Sequence, residues 1–204
     1  MTIQGIAPKE LLNCSEAELR AYVARHSEST LAETFRQIWL AIRAGRFYAG
    51  QPRNAQTAMA VELGNVALRL ATEARRDSLV LEAWRMLAHA LTADEQYTAA
   101  IDYYAQAVAA LERIGDHAQA ARTRLGYVAV LFYAGSYTEA LAVAEPARQW
   151  FVEHGDQLNY ARLCANIANV YHRLTITVWR MSTTHNPFKH SRNPVIASRL
   201  RSRI

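Results

Sequence analysis

Apolar side chains recur three and four residues apart along most of this chain, and that spacing predicts helix. Phe35, Ile38, Trp39 and Ile42 form one such stripe, predicting a helix from Leu31 to Ala44. Ala60, Leu63, Ala67 and Leu70 share a face of a second, from Ala55 to Arg75. Between them Gly45 to Asn54, with Gly50 and Pro52, reads as a loop. Upstream, Ser15-Glu16-Ala17-Glu18 has the form of a capping box, a Ser whose hydroxyl accepts from the third helical N–H and a Glu that reaches back. It opens a short helix with Leu19, Tyr22 and Val23 on one side. Further helices are predicted near 78–93, 97–114, 118–133, 137–153 and 157–173. Period-2 patterns are few, and no Asn-Gly or Asp-Gly joins two apolar runs, so the predicted class is all-α.

The later helices repeat. Tyr97-Thr98-Ala99-Ala100 returns as Tyr137-Thr138-Glu139-Ala140, and Ile114-Gly115-Asp116 returns as His154-Gly155-Asp156, each 40 residues on. A fixed spacing of this size marks stacked supersecondary units, because one helical hairpin cannot bury its own apolar face. Gly115 and Gly155 sit where a left-handed C-cap wants glycine, and Asp116 and Asp156 can N-cap the helices that follow.

Within this frame Trp84, Leu87, Ala88 and Leu91, followed by Tyr97, Ala100, Tyr104 and Ala107, resemble a tetratricopeptide repeat. The second copy keeps Tyr127, Leu131, Gly135, Tyr137, Ala140 and Ala147 but departs at Arg124 and Val128. The third keeps Cys164, Ile167, Ala168 and Tyr171. The period of 40 matches a long-repeat subset found in signalling adaptors and kinesin light chains rather than the common period of about 34. The resemblance implies a right-handed α-solenoid of antiparallel helix hairpins. In it Ala88, Ala100 and Ala107 mark close helix approaches, and Trp84, Leu87 and Tyr104 fill the space to the next hairpin. The division expected is an N-terminal helical cap (1–30), a degenerate repeat (31–76), two full repeats and a half (77–174) and a basic tail (175–204).

Composition adds little to the fold but changes how the charge is read. The formal net charge is +5, yet residues 175–204 hold six basic side chains (Arg180, Lys189, Arg192, Arg199, Arg201, Arg203) and no acid. Taking these from 23 Lys and Arg leaves 17 against 18 acids in residues 1–174, a body at −1. The basic balance therefore gives no warrant for nucleic-acid binding by the whole chain. The alternative function is contact of the tail with nucleic acid or an anionic surface. The widely separated Cys14 and Cys164 fit neither a disulfide framework nor a zinc spacing, so a cytoplasmic protein is expected. Met1 to Glu10 lacks the pattern of a secretory signal, and no run approaches the 18 or so apolar residues of a membrane span.

Beyond Leu174 the repeat register demands a Tyr near 177 and an Ala near 180, but the chain reads Thr175-Ile176-Thr177-Val178-Trp179-Arg180-Met181-Ser182. A shift of reading frame by two bases permits Asp-Tyr-Gly-Met-Ala-His-Glu-Tyr there, with Tyr and Ala in register. The expectation is an out-of-frame tail on a fragment of a longer bacterial signalling or regulatory protein. The stack is expected to end with the helix of Ala161 to Arg173, leaving an uncapped apolar face open to self-association. Met181 to Ile204 are expected to be poorly ordered, since Asn186-Pro187 and Asn193-Pro194 oppose a long helix.

No nucleophile, metal or phosphate-loop motif emerges. Cys164 and His172 lie eight residues apart on one helix, about 12 Å along its axis, too far for a nucleophile–base pair. The seven histidines show no metal-binding spacing. The expectation is a non-catalytic scaffold without cofactors or metals that binds a protein or peptide segment, with no membrane partner. The resemblance places the first helix of each hairpin along the groove. The groove residues it implies are Arg85, His89, Arg122, Leu125, Phe132, Arg162, Asn166, Asn169 and Arg173, with Glu82 beside them. Arginines there would pair with acidic groups, and an asparagine amide can donate and accept at once.

Overall fold

The computed structural model describes residues 7–44 and 53–184. Its elements are α1 (Pro8–Leu11), α2 (Glu16–Arg25), α3 (Glu28–Ala44), α4 (Arg53–Ala74), α5 (Asp77–Ala93), α6 (Tyr97–Arg113), α7 (His117–Ala134), α8 (Tyr137–Glu153) and α9 (Gln157–Thr184). Among the described residues there is no strand. From α4 onward each helix packs on the next, and α3, α5, α7 and α9 also meet in sequence along one wall. The result is an all-α solenoid.

Local chemistry sets the helix limits. The Ser15 hydroxyl accepts from Glu18 N at 3.3 Å while Ser15 N donates to the Glu18 carboxylate at 2.8 Å, completing the expected box. Asp116 accepts from Gln119 N at 3.0 Å and Asp156 from Asn159 N at 3.2 Å, so both act as N-caps. The start of α3 at Glu28 rather than Leu31 also has a cause. Ser27 Oγ accepts from Thr30 N at 3.4 Å and turns the chain into helix one turn early. Arg53 and Asn54, expected in a loop, begin α4; the rest of that loop lies outside the described residues.

The unit that repeats is shorter than the sequence echo. Left-handed residues fall at Arg75, Glu95, Gly115, Gly135 and Gly155, 20 residues apart, with φ of 52°, 63°, 78°, 80° and 67°. The residue after each of the last four donates its N–H five positions back, Gln96 to Leu91, Asp116 to Leu111, Ser136 to Leu131 and Asp156 to Phe151, all at 2.9 Å. These are Schellman-type caps, and they satisfy carbonyls that the helix end would otherwise leave bare. One helix and one cap fill 20 residues, so one hairpin fills 40. Thr175 holds the next place in the series, but it is helical, its hydroxyl donating to Tyr171 O at 2.9 Å. The helix expected to end near Arg173 therefore continues to Thr184, four residues into the stretch from Met181 expected to be poorly ordered. A β-branched residue stands where the left-handed turn is due, and no turn forms. Residues 185–204, with Lys189, Arg192, Arg199, Arg201 and Arg203, lie outside the described residues.

The interior confirms most of the large and small positions. Leu87, Ala88, Ala100, Tyr104, Ala107 and Tyr127 are all buried, and the Tyr104 and Tyr127 rings stack with centroids 6.1 Å apart. Trp84 is the exception. It packs with Leu81, Ala110, Leu111 and Ala120 in a small satellite cluster instead of joining Tyr104 and Tyr127. Five residues before His89 on α5, it lies about 140° around the helix from that residue and faces the end of α6, away from the tyrosines. At the equivalent place on α7, Arg124 bonds Glu112 at 2.5 Å and replaces an aromatic contact with an ion pair to α6. A second core, built from α1 to α5, joins Leu19, Tyr22 and Phe35 to Leu63, Leu70 and Met86. The helices α3 and α4 thus pack on one another, with α2 also laid against α4.

Candidate functional site

The row of first helices encloses a cleft of about 730 Å³. Each helix contributes side chains roughly one turn apart, because residues at i and i+4 share a face. Trp39 and Arg43 come from α3, Arg85 and His89 from α5, Arg122 and Leu125 from α7, and Asn159, Arg162 and Asn166 from α9. Tyr104 of α6 and Gly126 of α7 form part of its floor. A methyl group at Gly126 would lie 2.4 Å from the Tyr104 hydroxyl, so the glycine makes room for a buried phenol. Burial pushes that phenol up to about 12.

Six of the nine expected groove residues line this one cleft: Arg85, His89, Arg122, Leu125, Arg162 and Asn166. Phe132 and Asn169 line a separate hollow of 30 Å³ together with Asn166, large enough for water but not for a side chain. Arg173 is exposed further along α9 and lines neither hollow. Asn166 is partly engaged, its Nδ2 donating to Leu125 O at 3.1 Å, which ties α9 to α7. Its amide oxygen accepts no bond from the described residues, so a ligand amide can still use it.

Trp39, Arg43, Tyr104 and Asn159 were missed. The first two form an i, i+4 pair on the polar edge of the Phe35–Ile42 stripe, as Arg85 and His89 do on α5, and that pattern was the available signal. Trp39 meets the His89 ring edge-on at 5.4 Å, and the Arg43 guanidinium stands 5.6 Å from the Trp39 ring centroid. Burial lowers the His89 pKa from its ordinary 6.5, and the charge of Arg43 lowers it further. Burial likewise draws Arg85 down; nearby Glu82, Tyr104 and Asp116 oppose this and Arg122 adds to it. Even so a guanidinium stays protonated.

A hollow of about 530 Å³ lies between α2 and α4, but its Glu73 already takes two bonds from Arg20, at 3.0 and 3.1 Å. Among the described residues no three of the His, Cys, Asp and Glu side chains gather as metal ligands would. No helix of the described residues is long and apolar enough to cross a membrane. Comparison with models of known families, with curated proteins and with solved structures gives no match.

Proposed function

We propose that this chain is a tetratricopeptide-like scaffold that binds a protein or peptide segment in the cleft between its first helices, without catalysis. One observation carries the reading: four helices that are not adjacent in the chain (α3, α5, α7 and α9) each present ligand-competent side chains to a single open cleft. The wall mixes an apolar ring and a Leu with guanidiniums and an amide, the combination that fixes a peptide's side chains and backbone together. An elongated ligand can touch every hairpin in turn, whereas a small substrate would need only one or two.

The test is a block that leaves the interior alone. Ala165 is exposed on α9 and lines the cleft, so Ala165→Trp fills the space without touching the core. Peptides selected from a displayed random library against the full chain are expected to bind the variant more than about tenfold more weakly. Selected peptides that bind both proteins equally would remove the cleft from the function.

A further inference from the structure

Nine of the described arginines fall into two groups. Arg20, Arg36, Arg76, Arg124 and Arg148 each hold a glutamate, at 3.0, 2.6, 2.6, 2.5 and 2.6 Å. The four that line the cleft hold none among the described residues. Arg162 reaches only the Asn159 amide oxygen, at 3.3 Å, and Arg43 stands over Trp39. Arg85 and Arg122 make no ion pair, although Arg85 is half-buried. Of the acids near them, Asp116 caps Gln119 N, and Asp156 takes both the backbone and side-chain N–H groups of Asn159, at 3.2 and 2.8 Å, while Glu82 lies near Arg85 on the same helix without forming an ion pair with it. An uncompensated guanidinium in a half-buried place costs free energy that an arriving anion returns.

The arrangement of the charges narrows the anion. One cleft-lining arginine comes from each of α3, α5, α7 and α9. Packed helices stand about 8–10 Å apart, so the guanidiniums form a spaced row instead of converging on one point. A single phosphate group could meet only one or two of them. A segment in the extended polyproline II conformation has three residues per turn and advances about 3.1 Å per residue, so every third side chain returns to the same face about 9 Å on and keeps step with the row. A nucleic acid also carries a row of charges, but it is held by a broad cationic field. Residues 1–174 carry a net charge of −1, so no broad cationic field surrounds the cleft.

We propose that the cleft recognises an extended acidic peptide segment whose Asp or Glu side chains recur about every third residue, each meeting an arginine on a successive first helix. The proposal rests on the cleft being a peptide site and adds the chemistry of the peptide. Trp39 and Leu125 offer apolar contact to residues between the acids.

The experiment uses the full chain and four labelled probes read by fluorescence anisotropy. They are a 12-residue peptide with Glu at every third position, its Gln counterpart, a 12-residue neutral peptide with one phosphoserine, and a 12-nucleotide oligothymidylate. The Glu peptide is expected to bind at least about tenfold more tightly than the Gln peptide at low salt. That advantage is expected to fall below about threefold in Arg85→Gln/Arg122→Gln and, separately, in Arg162→Gln, whose side chain is exposed and carries no packing role. Equal binding of Glu and Gln peptides, with both lost in Ala165→Trp, would overturn the acidic preference and keep the cleft. Tighter binding of the phosphoserine peptide or the oligonucleotide than of the Glu peptide would overturn the proposed spacing and ligand class. Peptide binding that is absent, or indifferent to Ala165→Trp and to the arginine variants alike, would overturn this inference and the cleft reading together.

Discussion

The left-handed caps offer a test of the 20-residue register in which the sign of the effect differs between positions. Glu95 and Gly115 occupy the same place in successive turns, with φ of 63° and 78°. The hydrogen bond closing each turn is the same, 2.9 Å from Gln96 N to Leu91 O and from Asp116 N to Leu111 O. A Cβ added at Gly115 meets nothing within 4 Å, and Glu95 is exposed and its side chain makes no hydrogen bond or ion pair among the described residues. Side-chain contacts therefore drop out, and only backbone conformation remains. The left-handed region costs an L residue about 1–2 kcal/mol. Glycine escapes that cost but gives back about 0.5–1 kcal/mol through the greater freedom of its unfolded chain. Glu95→Gly is thus expected to stabilise by about 0.5–1 kcal/mol, and Gly115→Ala to destabilise by a similar amount. Urea unfolding followed by circular dichroism at 222 nm reads both as shifts of the midpoint at unchanged slope. The two changes sit on separate turns, so the double variant should lie near the wild type. A destabilised Glu95→Gly, or a Gly115→Ala with an unmoved midpoint, would refute the shared left-handed cap.

Three further outcomes follow from named contacts. Ser15→Ala removes the acceptor for Glu18 N and is expected to cost about 0.5–2 kcal/mol, read by the same unfolding curve. Leu87→Ala, at a side chain 1 % exposed in the core between α4 and the later hairpins, is expected to cost about 2–5 kcal/mol; less than about 1 kcal/mol would mean the hairpins are not packed as described. His89 has a folded pKa below 6.5 because burial and Arg43 both oppose its charge, so the unfolded chain takes up the proton first. Its contribution is complete above pH 6.5 and is lost as pH falls below that value, and His89→Gln should flatten stability over this interval. An unchanged pH profile in that variant would count against the burial of His89.

The helices and the paired use of large and small residues were legible because both are periodic, and a period survives without knowledge of contacts. Ala88, Ala100 and Ala107 could be read as close approaches since the same small positions recur with each helix. Trp84 could not be placed correctly. Its size showed that it fills space, but only coordinates show that the space lies at the far end of α6 rather than beside Tyr104. The same limit applies to the cleft. Residues on the polar edge of α5, α7 and α9 could be found by counting; Trp39 and Arg43 show the same spacing on α3, but that α3 shares the cleft follows only from its packing beside α5. Phe132 and Asn169 lie on the expected helices yet about two turns and one turn too far along to reach the cleft. Helical spacing fixes which face a residue occupies; where along the helix a groove opens depends on how neighbouring helices diverge, and side-chain periodicity carries no record of that divergence. The caps show the complementary case. Glycine at 115, 135 and 155 announces the turns, but Arg75 and Glu95 make the same turn without announcing it, and their left-handed conformations follow from the packing of the helices they join. Thr175 completes the argument from the opposite side: its register position calls for a turn, the residue there is not glycine, no helix among the described residues follows α9, and α9 runs straight through. A turn at these places is thus made by tertiary contact as much as by residue type, and where no second helix packs back, the local preference for helix decides.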